Sequence, residues 1–516
     1  MSLSEVVARH ARTQPDRLAF VAPDDRITWA EYDVWADALA GELGRRGLTA
    51  GDRVAVLVPD GPAVHVAFLA VERAGFVIVG IGPRAGAREV EHLLGLTGAR
   101  LVVTDSDRLA EGTHLDLPRL DPGGFRPEPG TVRAPIGDPA GGMRPVDDDD
   151  LWLCNSTSGT TGLPKCVMHD QQRWFAFHRL AVAAGDLGPD DVFLSALPAP
   201  FGFGIWTAHV TPTLLGAPTV RMQQFDPVGV LRMIERERVS VLAAVSTQFI
   251  MLLNEPTLPE FDLSSLRVLF TGGEMVPYER AREFEERTGC TVLQFYGSNE
   301  TGALSRTTLA DSADVRLRTA GRVIPEMHVR LLADDGSDVT ATGGPGIAAC
   351  RGPLTCQGYF GDPEADARLR TADGWMLTGD YCTIDADGIL SVTGRASDFI
   401  IRGGKNISAA QVEDEVATHP AVALAAAVAM PDPVFGERVC IFVALRPGAD
   451  APDLDGVRDH LRSRGVGKEL WPERVVVCDA LPLASGGKVA KGALRDDIRA
   501  RLAAEAGAVA HPEVGA

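Results

Sequence analysis

Ten residues, Ser156-Thr157-Ser158-Gly159-Thr160-Thr161-Gly162-Leu163-Pro164-Lys165, put hydroxyls, glycines and one lysine in a single run after the apolar Leu151-Trp152-Leu153. Glycine lets backbone N–H groups approach an anion closely. Hydroxyls add donors, and lysine adds a mobile point charge. That chemistry suits a triphosphate cradle. The spacing is not the Walker A loop, G-x-x-x-x-G-K-[ST], because Pro164 precedes the lysine and Cys166 follows it. A flexible Ser/Gly/Thr linker is the alternative. Against it stand the Pro-Lys terminus and the apolar Val167-Met168 directly behind it.

Four further segments could do chemistry. In Tyr296-Gly297-Ser298-Asn299-Glu300-Thr301-Gly302 a carboxylate among glycines can hold Mg²⁺, and an aromatic beside a glycine can cover a purine; a plain strand–turn is the other reading. Asp380, in Thr378-Gly379-Asp380, can accept two hydrogen bonds from a ribose diol, although Thr-Gly-Asp alone is a common turn. The third is Gly394-Arg395-Ala396-Ser397-Asp398-Phe399-Ile400-Ile401-Arg402-Gly403-Gly404-Lys405-Asn406-Ile407-Ser408. The fourth is Ser485-Gly486-Gly487-Lys488-Val489-Ala490-Lys491, whose lysine read alone is a surface tail residue.

The elements that must position these residues read as α/β. Val54 to Val58, Val77 to Val79 and Leu101 to Val103 are buried-strand patterns, and Pro62 to Ala74 and Arg88 to Leu96 are helical. Such alternation predicts a parallel sheet covered by helices. Residues 116–150 read as a surface connection ending in the solvated acid run Asp147 to Asp150. Strand patterns resume at Val239 to Val245, Leu266 to Phe270 and Val292 to Tyr296, with a helix at Glu279 to Arg287. The second of these runs into Thr271-Gly272-Gly273-Glu274 and the third into Gly297 to Gly302. Strand C-terminal ends are where ligands bind in open parallel sheets. Residues 315–395 read as all-β. A smaller α/β unit follows, with helices at Gln411 to Thr418 and Leu454 to Arg464 and strands at Val439 to Leu445 and Val475 to Val477.

At 516 residues two or more domains are expected. The net charge of −20 argues against a nucleic-acid or anionic-membrane surface, but not against one local polyanion site. Eight scattered cysteines without a C-x-x-C pair predict reduced thiols rather than zinc or disulfides. The absence of a basic-then-apolar leader, of a long apolar run and of a C-terminal address predicts a cytoplasmic protein without membrane insertion.

In this order and spacing, the five segments resemble the adenylate-forming superfamily of acyl-CoA synthetases, nonribosomal adenylation domains and luciferases. Gly358-Tyr359-Phe360-Gly361-Asp362-Pro363 and Asp373-Gly374-Trp375-Met376-Leu377-Thr378-Gly379-Asp380 point to its acyl-CoA synthetase branch. The resemblance implies a large N-terminal domain, residues 1–396, of parallel-type sheets, helices and a β-rich subdomain. It implies a small mobile α/β domain, 397–516, that rotates between two half-reactions. It implies ATP, Mg²⁺ and coenzyme A: a carboxylate attacks the α-phosphate to give acyl-AMP, and a thiol then displaces AMP. Carried over by motif, Ser156, Thr157, Ser158, Gly159, Thr160, Thr161, Gly162 and Lys165 would hold the β- and γ-phosphates. Gly272, Gly273 and Glu274, with Phe295, Tyr296 and Gly297, would frame the adenine. Glu300 would hold Mg²⁺ and Asp380 the ribose. Arg395 would touch ribose or phosphate, Lys488 would bridge the attacking carboxylate and the α-phosphate, and Gly403 and Gly404 would line the pantetheine tunnel.

Three departures qualify the likeness. Asn299 stands where threonine is usual, and its amide can still donate to a phosphate. Ser397 stands at the hinge position, where Asp or Lys is commoner. No aspartate for a substrate ammonium is apparent, which favours an apolar acid. Phe201, Phe203, Trp206, His209, Thr247, Gln248 and Met251 are pocket candidates, with Trp206 and Met251 equally readable as core. The Gly, Ala and Phe content around 199–208 suggests a cyclic or polycyclic acid. An enzyme that stops at acyl-AMP or passes it to a carrier-protein thiol is the first alternative, and a non-catalytic nucleotide-binding scaffold the second. A homodimer is compatible with the sequence.

Overall fold

The structure is a computed structural model that describes residues 2–105, 117–128, 150–156, 163–484 and 486–510. Two large sheets carry the N-terminal part. The seven-stranded one runs Gly358–Tyr359, Cys166–His169, Leu153–Ser156, Val77–Gly80, Arg53–Leu57, Leu101–Thr104, Arg119–Leu120. Five of these are parallel, and their near-continuous apolar runs suit strands covered on both faces. The expectation of a purely parallel sheet fails at one edge, where Cys166–His169 and Gly358–Tyr359 are antiparallel. The connection from 157 to 165 is too short for a parallel crossover, so the chain folds back as a hairpin.

The nine-stranded sheet contains Phe193–Ser195, Val241–Ala243, Val268–Gly272 and Thr291–Ser298 as parallel neighbours. The strand expected over 239–245 contracts to Val241–Ala243, because Val245 precedes the helix Ser246–Asn254 and Gln248 turns back onto its N–H. Residues 315–395 are not all-β. Their main feature is a four-stranded antiparallel sheet, but Ala313–Arg318 and Pro363–Arg368 are helical. Asp362 caps the second at its proline start. In the expected connection 116–150, Arg119–Leu120 pairs as an edge strand, while Asp147 to Asp149 lie outside the described residues.

The last unit is built on the long hairpin Val422–Asp432 and Gly436–Leu445. Side chains alternate across it. Val439, Ile441 and Val443 pack with Val412, Val416, Val457 and Leu461 on one face. Cys440 and Phe442 pack with Leu494 and Ile498 on the other. The helix Lys491–Ala510, absent from the sequence-predicted elements, supplies that second cover with Leu494 and Ile498 buried and Leu502 partly so. No helix among the described residues is long and apolar enough to cross a membrane.

His209 lies in the core. It is 0% exposed and packs against His65, Phe68 and Trp152, with its Nδ1 3.3 Å from that of His65. The pocket role expected of it is replaced by a packing role. Burial lowers its pKa to about 3 and holds His65 well below the ordinary value. In the unfolded chain a histidine takes up a proton as the pH falls through about 6.5. The buried ring does not, so acid favours the unfolded state by about 2 kcal/mol per such histidine at pH 5. The urea midpoint should therefore drop between pH 7 and pH 5, and drop less in His209→Gln. An equal drop in both would remove His209 from the account.

Candidate active site

Two neighbouring parallel strands, Val268–Gly272 and Thr291–Ser298, end side by side, with Gly272 opposite Phe295. A Cβ on Gly272 would sit 2.4 Å from the Phe295 carbonyl, so the backbones meet with no room for a side chain. Gly273 follows with φ of +81°, and a Cβ there would lie 2.8 Å from Lys488 Nζ. The lysine comes from the C-terminal unit and donates to the Gly273 carbonyl at 2.6 Å. Its loop is pinned by Thr247, whose hydroxyl donates to the Gly487 carbonyl.

Acids surround this ammonium. Desolvation lowers the Lys488 pKa, and Glu274, Asp380 and Glu300 oppose that shift. Burial raises Glu274, against the pull of Lys488 and the amides of Thr247 and Ser246 at a helix start. One Glu274 oxygen, Oε1, is buried without a partner, the mark of a site built for a donor that arrives later. Asp380 accepts from the Tyr296 hydroxyl at 3.0 Å and faces Arg395 at 3.5 Å. Burial raises its pKa and Arg395 counters.

Glu300 lies at the next loop. The Tyr359 hydroxyl donates to its Oε1 at 2.8 Å, and Lys165 Nζ stands 4.8 Å over the Tyr359 ring. No cluster of three or more metal-ligating side chains exists among the described residues. One carboxylate beside a phosphate site nevertheless fits Mg²⁺, which keeps waters and takes its other ligands from substrate phosphates. Of the phosphate-loop residues, Ser156 is buried at a strand end and Lys165 sits beside Tyr359. Thr157, Ser158, Gly159, Thr160, Thr161 and Gly162 lie outside the described residues.

Asn299 does not point a free amide at a phosphate. It donates to Asn155 Oδ1 at 2.7 Å. Gly297 lies at the strand end beside it.

The acyl-side candidates divide. Phe201 and Phe203 are half-buried. Trp206 is 3% exposed, stacked on Phe203 at 5.4 Å and edge-on to Phe270 and Phe295. It belongs to a wall already filled with rings, on one turn of π-helix, Ile205–Val210. Gln248 donates to the Ala196 carbonyl at 2.7 Å, so its amide and the Thr247 hydroxyl are spent on protein backbone. Met251 is exposed. Gly403 and Gly404 form the exposed tip of the hairpin Phe399–Arg402 and Lys405–Ser408, outside the group gathered round Lys488.

Sequence reasoning missed the supports. Arg221, 1% exposed, pairs with Asp60 at 2.7 Å and donates to the carbonyls of Ser195 and Leu197. Asp60 also accepts from the Ala199 amide at 2.7 Å, so this buried pair shapes the chain leading into Phe201. Asn155, His169 and Arg173 were also passed over. The one signal was a polar amide inside the buried strand Leu153–Ser156, which demands partners.

Comparison with known proteins follows the same lines. The family model described as AMP-binding enzyme matches residues 7–360, and that described as AMP-binding enzyme C-terminal domain matches 411–488. The chain is 32% identical over 519 residues to a medium-chain fatty-acid–CoA ligase of Escherichia coli, covering 97% of this chain and 91% of that one. It is 34% identical over 494 residues to a feruloyl-CoA synthase of a Streptomyces species, covering 94% and 97%. Among solved structures, an anthranilate CoA ligase in complex with anthranoyl-AMP superposes with a TM-score of 0.88 over 98% of each chain, at 22% identity, a likeness of fold.

The electrostatics round Lys488 can be read directly. Glu274 is the foremost charge favouring its ammonium. Glu274→Gln should lower the lysine's pKa further below 10.5. The pH dependence of Lys488 acetylation by acetic anhydride, followed by mass spectrometry, measures this. An unchanged or raised midpoint would mean that the two groups do not interact.

Proposed function

The chain belongs to the AMP-binding enzymes, in the acyl-CoA synthetase branch of the adenylate-forming superfamily, and from that premise we propose that it activates an apolar, ring-bearing carboxylic acid and transfers it to coenzyme A. The observation that carries this reading is the docking of Lys488 on Gly273, between Glu274 and the Asp380–Arg395 pair.

In this reading residues 1–396 form the adenylation core and 397–516 the mobile domain. The substrate carboxylate is an anion attacking the α-phosphate of a polyanion. The carboxylate oxygen bonds to phosphorus, the bond to the bridging oxygen breaks, and pyrophosphate leaves. Coulomb repulsion opposes the approach, so cations aimed at the transition state supply much of the catalysis. Lys488 is that cation at the α-phosphate, and Arg395 supports it. Glu274, Phe295 and Tyr296 frame the adenine, and Asp380 takes the ribose hydroxyls. Glu300 would hold Mg²⁺, which supplies charge neutralisation of the phosphates when bound. In the second half-reaction the thiol sulfur attacks the acyl carbonyl and AMP departs, with the hairpin of Gly403 and Gly404 swung toward the thiol's tunnel.

The substrate class rests on Phe201, Phe203 and Trp206, an aromatic wall without a described carboxylate for an ammonium. A feruloyl-activating relative supports a ring-bearing acid; the E. coli relative keeps a fatty acid as the competing class.

A panel of benzoate, salicylate, ferulate, cyclohexanecarboxylate and octanoate, scored for pyrophosphate and for thioester with coenzyme A, tests this. Ring acids should lead. Pyrophosphate without thioester would sink the ligase reading in favour of adenylation alone, and octanoate in the lead would sink the ring. Lys488→Ala should cut adenylation by roughly 10²- to 10³-fold. Thioester formation from supplied acyl-AMP should stay within a few-fold. Equal loss in both halves would refute the assigned role.

A further inference from the structure

Four polar side chains beside the reaction centre form one closed hydrogen-bonded set. Asn155 and His169 are 0% exposed, Arg173 is 3% exposed and Asn299 is half-buried. His169 Nε2 donates to Asn155 Oδ1 at 2.8 Å, and Asn299 Nδ2 donates to the same oxygen at 2.7 Å. Asn155 Nδ2 donates to the Pro200 carbonyl at 3.0 Å. The Arg173 guanidinium donates to His169 Nδ1 and, at 2.6 Å, to the Asn299 carbonyl. The imidazole proton is thus fixed on Nε2, because Nδ1 must accept from a cation that cannot.

The set joins the hairpin of Leu153–Ser156 and Cys166–His169 to two distant parts of the chain. Asn155 belongs to the strand Leu153–Ser156 and His169 to its antiparallel partner Cys166–His169. Asn299 adjoins Glu300 on the loop closing Thr291–Ser298. Pro200 precedes Phe201, and a Cβ on Gly202 would lie 2.6 Å from Asn299 Oδ1. The Arg173 guanidinium has no carboxylate within ion-pair distance among the described residues, although Glu300 and Asp170 act on it from farther off, and its Nε has no acceptor. A buried cation whose hydrogen bonds go only to neutral groups is costly. It is also a standing attraction for negative charge brought to the loop it touches.

Resting on the adenylation reading, we propose that Asn155, His169, Arg173 and Asn299 are a positioning clamp. It holds the Glu300 loop against the paired ends of strands 153–156 and 166–169, and so favours the metal-bound triphosphate over AMP. None of the four is a catalytic residue. They act through the placement of Glu300 and of the strand ends.

Calorimetric titration of the full chain with MgATP and, separately, with AMP tests this without knowledge of the acid. Asn155→Leu keeps the side-chain size and removes its hydrogen bonds. It should weaken MgATP by tenfold or more and AMP by less than twofold, with AMP binding doubling as the check on folding. Asn299→Thr should act in the same direction, and the double variant should be no weaker than the worse single one. Parallel loss of MgATP and AMP, no loss, or single effects that multiply would overturn the clamp. Wild-type protein that fails to bind MgATP at all would overturn the adenylation reading instead.

Discussion

The hydrogen bond from Lys488 to the Gly273 carbonyl crosses from the small C-terminal unit into the large one, and the rest of the site is arranged around it. For the lysine to arrive, the small unit must be seated, and its seat is mostly polar. Arg280 donates to the carbonyls of Ala417 and Val422, the Tyr278 amide to Asp414, and Arg446 to Glu283. Leu424 adds apolar contact with the core beneath. An interface of charge and carbonyl contacts exchanges readily for water, whereas a broad apolar one would not. The seating is therefore specified by polar geometry, which suits the rotation proposed for this unit.

The chain carries a net charge of −20 yet builds a place for a polyanion. Distance and burial reconcile the two. Charges separated by more than about 8 Å across solvent are largely screened at physiological ionic strength. Lys488, Arg395, Lys165 and Arg173 sit near the loops in question, and Arg173 is out of water. The site's acids are each assigned. Asp380 faces Arg395, Glu274 faces Lys488, and Glu300 accepts from Tyr359. Burial raises Glu274 and Asp380; Lys488 and two backbone amides pull the first back, and Arg395 and the Tyr296 hydroxyl the second.

What was legible in the sequence were groups whose chemistry is local. Glycines at strand ends, Asp380 in a turn and Lys488 on a glycine loop announce themselves by type and spacing, and the strands leading to them by apolar runs. The supports were not legible, because their partners are far away along the chain. Arg221 finds Asp60 across the fold, and Arg173 finds Asn299. Nothing within a window around either residue encodes the other. His209 shows the reverse error. A histidine beside glycines and aromatics suggested a pocket, but its ring completes a stack with His65 and Trp152. The helix Lys491–Ala510 escaped for a third reason, since its narrow stripe, Leu494, Ile498 and Leu502, runs through a segment rich in arginine and alanine.

The hinge departure can be located in the same terms. Ser397 donates its hydroxyl to Asp398 at 3.5 Å and offers its carbonyl to Arg495 at 3.5 Å. The charge at this turn comes from the next residue, Asp398, which pairs with Arg495 at 2.8 Å. That pair joins the hinge to the last helix, inside the part proposed to move, and does not tie the hinge back to the N-terminal sheets. Both partners keep about a quarter of their side-chain surface in water, 24% for Arg495 and 30% for Asp398. A pair so exposed contributes on the order of 0–1 kcal/mol. It lies wholly within the part proposed to move and would not oppose the rotation proposed for it. With serine at position 397, the charge at this turn is left to Asp398, which ties it to the last helix.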